Sequence, residues 1–186
     1  GISDDVVVYG KTEEEHDQSI RNLMRVAAEN GLVFNSGKCN IKTKSITFFG
    51  ATYTPEGVHP DPEKVDDLKA MPAPTCKKEL QEFMGFVTYM SPFIKNLSEK
   101  AAPLRELLKK DAFFIWEEHH QKCFQSLKDA VSEDATLVYF DTENTPTLET
   151  DASLKGLGVT LLQDEKPVAY ASKTLSDPET RYACIE

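Results

Sequence analysis

Ile2-Ser3-Asp4-Asp5-Val6-Val7-Val8-Tyr9 opens the chain with two adjacent aspartates set between short apolar runs. Neighbouring residues on a strand point to opposite faces, so the two carboxylates converge on one place only if they sit in the turn of a hairpin between two strands. Convergent carboxylates suit a hard cation such as Mg²⁺, which takes oxygen ligands and is shared between one or two carboxylates and the phosphates of a substrate. Taken alone, an Asp-Asp pair reads first as a polar turn, because Asp is a common turn residue. The segments that follow separate the two readings.

Residues 11 to 30 have the pattern of an amphipathic helix. Thr12 is the N-cap with Glu15 at capping-box spacing, Ile20, Leu23, Met24 and Ala27 form an apolar stripe suited to core packing, and Gly31 ends it. Extended segments are expected at 32–34, 39–43 and 45–54, divided by Asn35-Ser36-Gly37. From Pro60 the pattern turns helical, with helices over 62–70 and 76–91 jointed by Pro72 and Pro74. In the second of these, Gln81, Gly85 and Tyr89 recur at i, i+4 and i+8 and share a face. A glycine inside a helix costs about 1 kcal/mol relative to Ala, so Gly85 implies either close approach to a duplex groove or tight helix packing.

A further helix over 98–110 would bury Ala102, Leu104, Leu107 and Leu108 and end in Lys109-Lys110 at its negative pole. Phe113-Phe114-Ile115-Trp116 leads into a helix over 117–131, on which the adjacent His119 and His120 are expected to diverge as surface residues rather than metal ligands. After Leu137, strands are expected at 147–152, 157–163 and 167–172, with Gly156 and Gly158 at the opening of the second and Asp164-Glu165 turning into the third.

Bulk properties constrain the function. At 186 residues the chain can bury a core. Its apolar runs are too short to span a bilayer and it shows no signal peptide, which points to an intracellular protein, in a cytoplasmic particle or the nucleus. Cys39, Cys76, Cys123 and Cys184 are too widely spaced for a zinc ribbon or disulfide framework and are expected to be reduced. The net charge of -10 argues against nucleic-acid binding, which rests on basic side chains neutralising phosphates. The distribution weakens that objection: residues 64–110 carry 9 basic against 6 acidic side chains, whereas 111–186 carry 6 against 15.

Ile2-Ser3-Asp4-Asp5 followed by Val6-Val7-Val8-Tyr9-Gly10 resembles the Tyr-x-Asp-Asp box of reverse transcriptases, in particular the gypsy-type LTR retrotransposon Pol polyprotein. Further segments follow in that family's order: Gly31-Leu32-Val33-Phe34-Asn35, Phe48-Phe49-Gly50-Ala51, Pro55-Glu56-Gly57-Val58-His59-Pro60, Lys78-Glu79-Leu80-Gln81-Glu82-Phe83-Met84-Gly85, Ala102-Pro103-Leu104 and Leu148-Glu149-Thr150-Asp151-Ala152-Ser153. Ile2 stands where the family usually has Tyr, and Met90-Ser91-Pro92 where basic residues often follow.

The resemblance implies an α+β chain made of a partial polymerase palm (1–60), a helical thumb and connection (61–134) and the start of a ribonuclease H-like mixed sheet (135–186). It implies that Asp4 and Asp5 are catalytic metal ligands for Mg²⁺, and that Phe49, Gly50 and Ala51 form a primer grip with Phe48 turned toward the core. Lys77, Lys78, Gln81, Gly85 and Tyr89 would contact a nucleic-acid duplex. Asp151 would be the first metal-binding carboxylate of a ribonuclease H site whose second would fall two residues beyond Glu186.

The implied activity is RNA-directed DNA polymerase (a nucleotidyltransferase) with ribonuclease H endonuclease, both two-metal Mg²⁺ chemistries. The implied partners are a primer-template or RNA/DNA hybrid, dNTP and the remainder of the polyprotein. Neither catalytic site is complete in this sequence, so the chain alone is expected to be inactive. The alternative is an inactive or domesticated remnant that binds nucleic acid or a partner. A hydrolase acting through Asp151 alone lacks its partner carboxylates.

Overall fold

Thr12 starts helix α1 (Glu13–Glu29) as the sequence requires, its hydroxyl accepting the Glu15 amide at 3.2 Å while the Glu15 carboxylate accepts the Lys11 amide at 2.9 Å. Gly31, at φ +70°, ends it: the Leu32 amide donates to the Ala27 carbonyl and the Gly31 amide to Ala28, the paired bonds of a Schellman motif. This computed structural model describes residues 6–132, 136–176 and 178–181, and divides into two units, Gly1–Thr43 and Lys44–Glu186. Asp4 and Asp5 lie outside the described residues.

The first unit departs from expectation in two ways. Of the α1 stripe only Ala27 is buried, and Met24 is 52% exposed, because this unit contains no sheet among its described residues for the stripe to pack on. The expected extended segments at 32–34 and 39–43 are not strands either. The Asn35 side chain accepts the Gly37 amide at 3.0 Å and starts a 3₁₀ turn at Ser36–Lys38, a local alternative for a backbone with no neighbouring strand to pair.

In the second unit the expected 45–54 segment folds back on itself. Strands β1 (Ile46–Phe48) and β2 (Ala51–Thr54) pair antiparallel around Phe49 and Gly50, whose φ values of +48° and +71° meet the requirement of a type I′ hairpin turn. A third strand, β3 (Gly57–Pro60), was not evident in the sequence and pairs with β2.

Helix α2 (Pro62–Ala70) follows, capped by the Asp61 carboxylate on the Glu63 amide with Pro62 at the first helical position. Helix α3 (Lys77–Tyr89) comes next. The expected helix over 98–110 is two short ones, α4 (Leu97–Lys100) and α5 (Ala102–Leu107), because Pro103 has no amide to continue the ladder into the second. Helix α6 (Glu118–Ser132) completes the helical layer.

The core lies among these helices. Phe83 packs on Phe124 with ring centroids 4.5 Å apart, surrounded by Leu68, Leu80, Met90, Ile94, Leu104 and Leu127, all essentially without solvent contact. Lys128, also buried, donates to the Met71 carbonyl at the end of α2 at 2.7 Å, and its ammonium sits 4.9 Å from the Phe124 ring centre.

The last three strands, β4 (Thr147–Ala152), β5 (Gly156–Gln163) and β6 (Lys166–Thr174), form a second antiparallel sheet in sequence order. Gly156, Gly158 and Thr160 of β5 are buried and alternate along one face, as a half-buried strand demands, and Gln163, also buried, falls out of that alternation past the irregularity at Leu161–Leu162. Leu137 and Val138 connect the two sheets. Leu137 exchanges both backbone bonds with Val58, and the Val138 amide donates to Pro167 at 2.8 Å. Among the described residues no helix is long and apolar enough to cross a membrane.

Candidate nucleic-acid interface

The turn at Phe49-Gly50 and the outer face of α3 meet. A side chain on Gly50 would overlap the Tyr89 hydroxyl, so the tyrosine lies directly against the turn backbone. On the far side the turn is fixed by the Asp61 amide, which donates to the Gly50 carbonyl at 3.1 Å. Phe49 is 70% exposed and its ring packs edge-on to Phe48 at 4.4 Å, while Ala51 is buried in the core. The hairpin therefore offers one aromatic face and a run of backbone, held rigid from behind.

Along α3, Gln81, Gly85 and Tyr89 are all exposed and fall on one face. A Cβ built at Gly85 meets nothing within 4 Å, so helix packing within the chain does not account for this glycine among the described residues. What remains is an open backbone strip flanked by an amide and a phenol. Of the two lysines in the first turn, Lys78 is exposed, whereas Lys77 is half-buried and donates to the Lys109 carbonyl at 2.7 Å, closing the C-terminal end of α5.

Asp151 lies on β4 opposite Gly158 of β5 and is exposed. Its carboxylate accepts a 2.8 Å hydrogen bond from the Asn96 side-chain amide, and the neighbouring Lys95 ammonium lies 3.2 Å from the Glu149 carboxylate. Asn96 adopts the left-handed conformation at φ +55°, and its side-chain oxygen occupies the space a Gly158 side chain would need. Ser98 approaches Gly156 in the same way. The two glycines thus let the start of α4 lie against the sheet, and that approach delivers an amide to Asp151. The Ser98 amide on the Ser172 hydroxyl and Arg105 on Thr174 fasten the same segment to β6.

The reading of the two histidines is corrected in part: His119 is exposed as expected, whereas His120 is buried. His119 and His120 do not diverge: their ring centroids are 3.7 Å apart at the start of α6. The Glu117 amide donates to His120 Nδ1 at 3.1 Å, which puts an imidazole where a capping box usually has a Glu or Gln, and His119 Nδ1 lies 3.3 Å from the Glu117 carboxylate. His120 is buried and lies against Trp116, and burial, then the neighbouring His119, push its imidazole below the ordinary value while Glu117 opposes them. Among the described residues, Glu117, His119 and His120 are the group whose ligand atoms come together, all within 4.8 Å of one another.

Residues 116–186 match the family described as the RNase H-like domain found in reverse transcriptase. Over 98% of its length the chain is 33% identical to the retrovirus-related Pol polyprotein from transposon 297 of Drosophila melanogaster, covering 17% of that protein. It is 29% identical, again over 98%, to the Pol polyprotein from the Drosophila transposon gypsy, covering 19%. Over 97% it is 30% identical to the transposon Tf2-3 polyprotein of Schizosaccharomyces pombe, covering 14%. The chain thus spans less than a fifth of each of these relatives. In fold it resembles the foamy viral protease-reverse transcriptase solved with double-stranded DNA and with an RNA/DNA hybrid. Both have a TM-score of 0.80 and 23% identity over 95% of this chain, covering 32% and 25% of theirs.

Proposed function

From the premise that this chain is a homologue of retrotransposon Pol polyproteins and carries the RNase H-like domain of reverse transcriptase, we propose that it is the segment of such an enzyme that grips the primer-template. In this reading residues 1–60 end the palm, 61–134 form thumb and connection, and 135–186 begin ribonuclease H. The observation that carries it is the meeting of Gly50 with Tyr89, which joins the hairpin to the open strip over Gly85 as one surface.

A duplex laid on this surface would find Phe49 at the hairpin edge, backbone at Gly50 and Gly85, hydrogen bonds from Gln81 and the Tyr89 ring along its sugars. Lys78 supplies a phosphate contact. Asp4 and Asp5 would hold Mg²⁺ for the polymerase step together with a carboxylate from elsewhere, and Asp151 would hold it for hybrid cleavage. Bound there, the metal supplies charge neutralisation at attacking and leaving oxygens. Asn96 and the β4–β5 pairing orient the Asp151 carboxylate.

Fluorescence anisotropy with a labelled RNA/DNA hybrid tests the grip. Binding should weaken steeply with salt and fall about 5-fold or more in Tyr89→Ala and Gly85→Gln, the loss of one stacked contact or one close approach. Binding indifferent to both substitutions would move the interface elsewhere and leave the reading without its support.

A further inference from the structure

We infer that Glu117, His119 and His120 form a binding site for a borderline transition-metal cation of the Zn²⁺ class, separate from the Mg²⁺ chemistry proposed above. The three come from one turn at the start of α6. Their ligand atoms lie within 4.8 Å of one another, and Glu117 Oε2 and His119 Nδ1 are already 3.3 Å apart. Tetrahedral Zn²⁺ with bonds of about 2.0–2.1 Å sets its ligands about 3.3–3.4 Å apart, so one pair is in place and the His120 ligand atom has at most about 1.5 Å to close.

The donor set selects the metal. Two imidazoles and one carboxylate suit Zn²⁺, whereas Mg²⁺ demands oxygen ligands and gives up water reluctantly. The surroundings supply the rest of the coordination sphere. A cavity of about 380 Å³ opens beside both histidines and is also lined by Glu99, Glu106 and Lys155. It gives solvent access to the buried His120 and leaves room for water at a fourth position. Glu106 on its wall is already paired with Lys109 at 2.6 Å, which leaves Glu99 against Lys155, so the cation preference comes from the three ligands themselves.

One interaction opposes binding. His120 Nδ1 accepts the Glu117 amide, so metal ligation either takes that lone pair or shifts the ring proton onto Nδ1, and the capping bond is lost in both cases. Loss of a cap of this kind lowers the affinity about 5-fold, which weakens binding without forbidding it. The sequence-level argument that adjacent residues diverge on a helix fails here because the first turn lets both rings fold back toward Glu117.

The experiment is a calorimetric Zn²⁺ titration of the chain at neutral pH, with Cys39, Cys76 and Cys184 replaced by Ser so that thiols do not compete. One equivalent should bind with micromolar affinity, excess Mg²⁺ should not displace it, and Co²⁺ should give the visible absorption of a tetrahedral centre. His119→Ala and Glu117→Gln, both at exposed side chains, should each weaken binding about 10-fold or more with unchanged circular dichroism. The other two imidazoles, His16 and His59, serve as the internal control. Absence of saturable binding, or binding that survives both substitutions, overturns the site.

Discussion

The Tyr89 hydroxyl occupies the volume that a side chain at Gly50 would need, so the turn of the first hairpin and the last turn of α3 are fitted to each other by the absence of one carbon. Gly50 also sits at φ +71°, a conformation that L side chains rarely adopt. Gly50→Ala is therefore expected to destabilise the fold by about 2 kcal/mol, part from the backbone and part from the collision. In a Tyr89→Ala background the collision component should vanish and the cost fall to about 1 kcal/mol. Urea unfolding of the four members of this double-mutant cycle measures the difference, and a strictly additive cycle would contradict the contact.

Gly85 should behave in the opposite way. Its Cβ position is empty and it lies inside a helix, so Gly85→Ala is expected to stabilise the chain by up to about 1 kcal/mol. A rise in Tm accompanied by weaker hybrid binding would separate the glycine's functional role from any structural one.

Phe83 and Phe124 anchor the helical core, and Phe83 is 1% exposed. Phe83→Ala should cost about 3–5 kcal/mol, a large share of the roughly 5–15 kcal/mol that holds an ordinary domain folded. Chemical denaturation read by circular dichroism measures it.

Glu179 gives a local pH dependence. Its carboxylate is held to about 2, below its ordinary 4.5, first by the Lys173 ammonium and then by the amide and hydroxyl of Ser176. A depressed carboxyl stabilises the structure above its unfolded value, and that contribution is lost as pH falls from about 4.5 through about 2. The 3₁₀ turn at Glu179–Arg181 should therefore loosen at acid pH while the buried helices keep their amide protection. An NMR titration of the Glu179 side chain with a midpoint near 4.5 would contradict these contacts.

Much of the fold was legible where local chemistry decides it. Helix α2 and strand β4 have the bounds expected of them, the first from Asp61-Pro62 at its start and the second from a six-residue extended run. Strand β3 was missed because Pro55-Glu56-Gly57 marks a turn without revealing that the next residues pair back. The split at Ala101 was in principle readable from Pro103.

The site was legible in part. Gln81, Gly85 and Tyr89 share an exposed face as their spacing requires, but spacing could not show that Tyr89 reaches Gly50. Asn96 and Asp151 are 55 positions apart, and nothing local to either residue announces the other. The histidine pair was misread because an ideal mid-helix geometry was applied to a first turn, where capping redirects side chains.

Leu137 and Val138 lie just past residue 134, the boundary proposed above between connection and ribonuclease H, and their backbones are bonded to Val58 on one side and Pro167 on the other. A protease cut there would not release a slack tether but unpick a seam shared by two sheets. The pieces on either side are accordingly expected to unfold as one cooperative body, and a graft point for exchanging either domain belongs elsewhere in the chain.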